Sequence, residues 1–295
     1  VTLDNAALVD EYGTVTVSAG GGALDVSGGM QFFVGGYQLS GDALNLTQAD
    51  VPIRVGDGTT GGAGMTATIS AALTGSGGID KTDLGTLALT GASHFNGEIT
   101  VNGGTIAIRD GGSVTNAAGE IAKDAGTTGT VTVDGASSVW TNSGGVLVGI
   151  GANSSGTLNV INGGNILQTG GDGIVGYGAT GTATVDGAGS KWTNSSVTGA
   201  IQVGWGSGNG TLSIINGGSV SDTFGQIGYS GTGAGSGGTV TVDGAGSAWT
   251  NSSNLNVGAF GSGTLKITNG GSVSSATAIV GNGTGANGAS QNASW

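Results

Sequence analysis

The chain has 295 residues, of which 68 are Gly, one is Pro and none is Cys, and it carries a net charge of −12. Without a Gly-X-Y period and with almost no proline it is not collagen. With 36% apolar and only 8% charged residues it lacks the low hydrophobicity and high charge of a disordered chain, so the glycines must serve the turns of an ordered fold. Lack of cysteine removes disulfides and thiolate metal sites together.

The charge is concentrated at the N-terminal end. Residues 1–128 hold 13 of the 18 acids and four of the six bases, a balance of −9, whereas 129–295 carry only −3. No basic stripe is present to neutralise phosphates, so no nucleic-acid partner is expected. No run of apolar residues is long enough to span a membrane as a helix. The chain starts at Val1 without a signal peptide and reads as an excerpt of a longer precursor.

Residues 1–74 hold short β-like runs whose repetition is weak, and they are expected to form less regular coils. The glycines of VGDGTTGG at 55–62 precede no helix and no Walker lysine, so they form no phosphate loop. Residues 75–128 form a second segment, opening with GSGGIDKTDLGTLALTGASHFNGEITVNGGTIAI at 75–108. It contains the sole histidine, His94, with nothing nearby in sequence to make a catalytic set.

Residues 129–295 repeat themselves. A tryptophan phrase occurs as GASSVWTNSG at 135–144, GAGSKWTNSS at 187–196 and GAGSAWTNSS at 244–253. It alternates with GTLNVINGGNI at 156–166, GTLSIINGGSV at 210–220 and GTLKITNGGSV at 263–273. Between them lie short apolar runs ending in Gly, such as VLVG at 146–149 and IQVG at 201–204. The unit recurs at about 53 residues in two similar halves, each with three short β-like runs. Three strands per turn at this spacing predict an all-β parallel solenoid, in which stacked coils bury a continuous core that no single coil could bury. Some 11 or 12 coils at about 4.8 Å each make a rod on the order of 50–60 Å long.

Alternation along a strand assigns the faces. Lys191 cannot enter a dry core unpaired, so it points out and Trp192 points in, together with Trp140 and Trp249 in the same phrase. Likewise Lys266 points out, placing Leu265 and Ile267 inside with Leu158 and Leu212. Gln202 and Asn256 are expected outside, which places Ile201, Val203, Leu255 and Val257 inside. Asp134, Asp186 and Asp243, each before Gly, match Asn162, Asn216 and Asn269 in the alternating half, and all six are expected to form turns. Stacked Asn side chains are expected to bond along the axis.

No catalytic, cofactor-binding or metal-binding set is found. There is no G-x-S-x-G elbow. The nearest approach to a calcium-binding coil, Gly170-Gly171-Asp172-Gly173-Ile174-Val175, has Val where Asp is required. Outward Thr130/Thr132, Thr182/Thr184 and Thr239/Thr241 resemble the flat faces of ice-binding solenoids, but they are expected only in alternate halves, replaced between by Leu158 with Asn159 and by Leu265 with Lys266. An ice face needs an unbroken array, so ice binding is not expected.

The stretch at 75–108 resembles the passenger-associated transport repeat of type V autotransporters. Lys81, Gly85-Thr86-Leu87, Leu89, Gly91, Gly97, Val101, Asn102-Gly103-Gly104 and Ile106 fall on that pattern, whereas Asp83, Leu84 and Ser93-His94-Phe95 depart from it. The runs at 30–47 and 53–70 are similar to segments that precede such a repeat. The tryptophan and GTLxIxNGGSV phrases resemble repeats of large passengers of the same class. The resemblance implies a right-handed β-helix exported through the outer-membrane barrel of its own precursor and displayed on the bacterial surface. It further implies an adhesin or self-association factor whose host-cell protein or glycan receptor is unknown. The alternatives are a stalk that displays or helps export a separate effector, and a surface enzyme or toxin.

Overall fold

A computed structural model describes residues 7–9, 14–18, 20, 22–229, 236–282 and 287–291. The remaining residues, which fall in the expected 1–74 and 129–295 segments, lie outside the described ones. Among the described residues thirty-five strands wind into three parallel sheets of 12, 12 and 11 strands, and each strand inside a sheet pairs with those three places before and after it. Apart from the 3-10 turn Thr60–Gly64, the described elements are all strands. The chain is therefore an all-β parallel solenoid with three strands per coil, about 50 Å long at the usual strand spacing.

The first sheet carries the short apolar runs, the second the Gly-Thr strands such as Ser155–Ile161, and the third the tryptophan strands such as Lys191–Asn194. One corner explains why each run in the first sheet ends in glycine. Gly149, Gly176, Gly204, Gly228 and Gly258 all have φ between +67° and +76°. At Gly176 an added Cβ would stand 2.5 Å from the carbonyl carbon of Asn209 in the next coil. A side chain there would meet both left-handed strain and backbone.

The 53-residue period is two coils long because of core volume. Along the third sheet the inward column reads Val114, Trp140, Ile166, Trp192, Val220, Trp249 and Val273. In the first sheet the facing column reads Ile99, Gly119, Val146, Gly173, Ile201, Gly225 and Leu255. Glycine thus accompanies every tryptophan. A Cβ on Gly173 would lie 2.6 Å from Trp192 Cζ2, and one on Gly225 2.8 Å from Trp249 Cζ2. The second sheet adjusts in the same direction. Val131, Ala183 and Val240 stand in the tryptophan coils, and Leu158, Leu212 and Leu265 in the others. Each coil therefore fills the same cross-section with a different division of volume among its three sides, as close packing demands.

Beside the tryptophans runs a buried polar column of Asn116, Asn142, Gln168, Asn194, Asp222 and Asn251. Each member lies two residues after a Trp, Val or Ile of the inward column and so shares its face. Trp140 Nε1 donates to Asn116 Oδ1 at 2.7 Å, and Trp192 Nε1 to Gln168 Oε1 at 2.6 Å. The third tryptophan, Trp249, meets Asp222 instead of an amide. Asp222 Oδ2 accepts from the Ile201 N–H at 3.0 Å, while Asp222 Oδ1 and Trp249 Nε1 lack partners of good geometry. Burial pushes this carboxyl up to about 7.

Two predictions follow from the core. Trp192→Ala removes a fully buried ring and should cost about 3–5 kcal/mol in chemical denaturation. Below pH 3.8 Asp222 is protonated whether folded or unfolded; from there to about pH 7 only the folded state keeps the proton. Its contribution to stability is therefore complete in acid and is lost as pH rises through about 7. Asp222→Asn, which restores an amide to the column, should flatten that fall and raise stability at pH 8 by about 1–3 kcal/mol. An unchanged pH profile would show that Asp222 does not titrate in this range.

Candidate functional site

Trp140, Trp192, Trp249, Leu158, Leu212 and Leu265 are fully buried and Ile267 is 6% exposed, so none of these side chains is available on the surface. Ile201, Val203, Leu255 and Val257 are buried as well. Gln202 departs from the sequence expectation. It lies on the outer side of its strand, yet it is 7% exposed, because its amide folds against the preceding coil and donates to Asp172 Oδ2 at 3.0 Å. Asn256, in the same column, is half-buried with its Oδ1 enclosed.

The turn residues divide the work differently from expectation. Asn162, Asn216 and Asn269 take positive φ of 50–53°, followed by left-handed Gly163, Gly217 and Gly270. In the aspartate half the glycines alone, Gly135, Gly187 and Gly244, are left-handed. Asp134, Asp186 and Asp243 act instead as acceptors. The Asn162, Asn216 and Asn269 amides donate to them at 2.7, 2.7 and 2.6 Å. The axial bonds at this corner are thus discrete Asn–Asp pairs between adjacent coils, at every second interface, rather than an amide ladder.

The outer face of the second sheet is where the structure corrects the sequence reading most. Leu158 and Leu265 point inward in register with Val131 and Val240, so they do not interrupt the threonines. The outward partner of Thr130 is Thr157, and that of Thr239 is Thr264. The column runs unbroken through Thr66, Thr86, Thr105, Thr130, Thr157, Thr182, Thr211, Thr239 and Thr264. A second column, two residues along, reads Thr132, Asn159, Thr184, Ser213, Thr241 and Lys266. Six coils therefore present hydroxyls and amides at strand spacing, with one lysine at the end.

The surface corner after the first sheet carries aromatics that the repeated phrases do not include. Tyr177 and Trp205 stack with centroids 4.7 Å apart at 17°, and Tyr229 meets Phe260 edge-on at 6.1 Å. Tyr177 and Trp205 cover each other's faces, so neither presents both faces of its ring to a sugar. His94 is exposed on the third sheet, next to Thr115 of the following coil.

Lys81 is the residue that sequence reasoning left without a role. It is fully buried, and its Nζ donates to the carbonyls of Thr82, Asp83 and Gly103 at 2.9, 2.9 and 3.0 Å. Burial lowers its pKa to about 8. Beside it Asp83 takes φ +68°, and its carboxylate binds Arg54 at 3.2 Å and the Gly58 N–H at 3.0 Å. The lysine thereby ties the corner after one strand to the next coil.

Comparison with known proteins agrees with this geometry. Residues 79–108, which include Lys81, match the model of the passenger-associated transport repeat. Over 163 residues, half of this chain, the sequence is 41% identical to the adhesin BmaC autotransporter of Brucella suis biovar 1 (strain 1330). The matched segment covers 5% of that much longer protein. No solved structure matches the chain. The chain thus carries a passenger-associated transport repeat within a parallel solenoid and is similar over half its length to part of an autotransporter adhesin.

Proposed function

We propose that the chain is part of a surface-displayed passenger that works by adhesion, to other copies on neighbouring cells or to a host surface, and without chemical turnover. The observation that carries this reading is the 41% identity over 163 residues to an autotransporter adhesin. In a precursor of that kind an outer-membrane barrel would export and anchor the passenger, a partner that lies outside this chain. The receptor, whether protein or glycan, is not specified by any built pocket.

The outer face of the second sheet supports the same reading. Its threonines, serines and asparagines are both donors and acceptors, and few charges repel a like or unlike surface. Each contact contributes about 0.5–1.5 kcal/mol at most. Repetition along the axis and many copies per cell convert such weak contacts into avidity. A face of this type also predicts only mild dependence on salt.

Bacteria displaying this chain on an autotransporter barrel should settle faster, or attach to host cells more, than bacteria displaying the barrel alone. Raising salt from low to physiological strength should change either effect little. Unchanged settling and attachment would overturn the adhesive reading and leave a stalk that projects another domain.

A further inference from the structure

Asparagine followed by glycine is a chemically weak place in a chain, because no side chain on the glycine hinders its backbone nitrogen from reaching the asparagine Cγ. Three such pairs recur at one corner of this solenoid: Asn162-Gly163, Asn216-Gly217 and Asn269-Gly270. All three asparagines are exposed.

The three corners match on the asparagine side. Their φ values are 53°, 52° and 50°, and each amide donates to the aspartate of the preceding coil. They differ at the glycine. The Gly163 N–H donates to Ser190 Oγ at 2.9 Å, and the Gly217 N–H to Ser247 Oγ at 2.9 Å. Both serines are fully buried and come from the following coil. Their hydroxyls donate in turn to the carbonyls of Asp186 and Asp243 at 2.6 and 2.7 Å, which leaves the oxygen lone pairs for the glycine. Ser138, in the same column, accepts from the Gly111 N–H of the Asp110-Gly111 corner at 3.3 Å. Among the described residues the Gly270 N–H has no such partner.

Deamidation begins when the glycine nitrogen loses its proton to hydroxide and attacks the asparagine Cγ. The N–Cγ bond forms, the Cγ–Nδ2 bond breaks, and the amide takes a proton from water and leaves as ammonia. Water then opens the resulting five-membered imide at either carbonyl, giving aspartate or isoaspartate. The reaction needs only water and hydroxide. A serine oxygen on the glycine N–H opposes its first steps, since the proton is engaged and the nitrogen is tied to the next coil.

We propose that Asn269 is a site of spontaneous deamidation in this chain, and that Ser190 and Ser247 protect Asn162 and Asn216 from the same reaction. Conversion at Asn269 replaces the donor to Asp243 with a second carboxylate, so that two like charges meet where a hydrogen bond was. Isoaspartate also lengthens the backbone of the corner by one carbon. The last serine of the GASS and GAGS phrases thus serves the chemical durability of the corner in the coil before it. This inference does not depend on the adhesive reading.

The test incubates the folded 295-residue chain in mildly alkaline buffer and follows each asparagine by peptide mapping with mass spectrometry. Asn269 should convert at least several-fold faster than Asn162 and Asn216. Ser190→Ala should speed conversion of Asn162 several-fold and leave Asn216 at the parent rate, and Ser247→Ala should do the reverse. Each variant thus carries its own control, because loss of the whole fold would speed both sites together. Equal rates at the three corners of the parent would overturn the proposal, and that comparison needs no variant to fold. So would a serine variant that leaves its partner asparagine unchanged, or one that accelerates both corners alike.

Discussion

Parallel pairing without a register slip is the constraint from which the rest of the structure follows. Because each strand sits on its counterpart one coil away, every side chain has the same position of the next coil directly above and below it. A large residue takes room across the coil, from the other two sheets, and in the first sheet Ile201 and Leu255 of the following coil also lean over Gly173 and Gly225. The pairing of Trp140, Trp192 and Trp249 with Gly119, Gly173 and Gly225 is that exchange, and the alternation of Leu158 with Val131 and Ala183 completes it. The same stacking places Trp140 and Trp192 N–H groups against the amides of Asn116 and Gln168 in neighbouring coils.

Much of this was legible in the sequence, because the repeat displays the register openly. The three strands per coil, the inward tryptophans and the Asn-Gly corners all follow from spacing and from Lys191 and Lys266 as markers of the outside. Alternation also fixes Asn142 and Asn194 on the tryptophan side, two residues further on, so the buried polar column had a signal in the WTN phrase. The threonine column was missed through a slip of one residue. Thr157 aligns with Thr130, and reading Leu158 there moved the column to the wrong face.

Other features could not be read from local pattern. The rule that places Lys191 outside fails for Lys81, which is buried because three carbonyls converge on its ammonium, and that convergence belongs to the fold. Gln202 is on the expected side of its strand but is covered by Asp172, 30 residues earlier. Asp222 occupies an amide position, and nothing local distinguishes a corner aspartate from a buried one. Sequence spacing reports contacts within a repeat well, and contacts between unlike coils poorly.

The account stands or falls on the exchange of volume within a coil, and a double-mutant cycle at Gly173 and Trp192 measures it directly. Gly173→Val alone forces a side chain against the indole and against Ile201 Cδ1 of the next coil, and Trp192→Ile alone leaves a cavity. Together they recreate the Val146 and Ile166 pairing of the coil before. Denaturant unfolding should show both single variants destabilised and the double variant partly restored, with a coupling of about 2–3 kcal/mol in its favour. Additive losses would show that the tryptophan and glycine columns do not share one space, and would contradict the account.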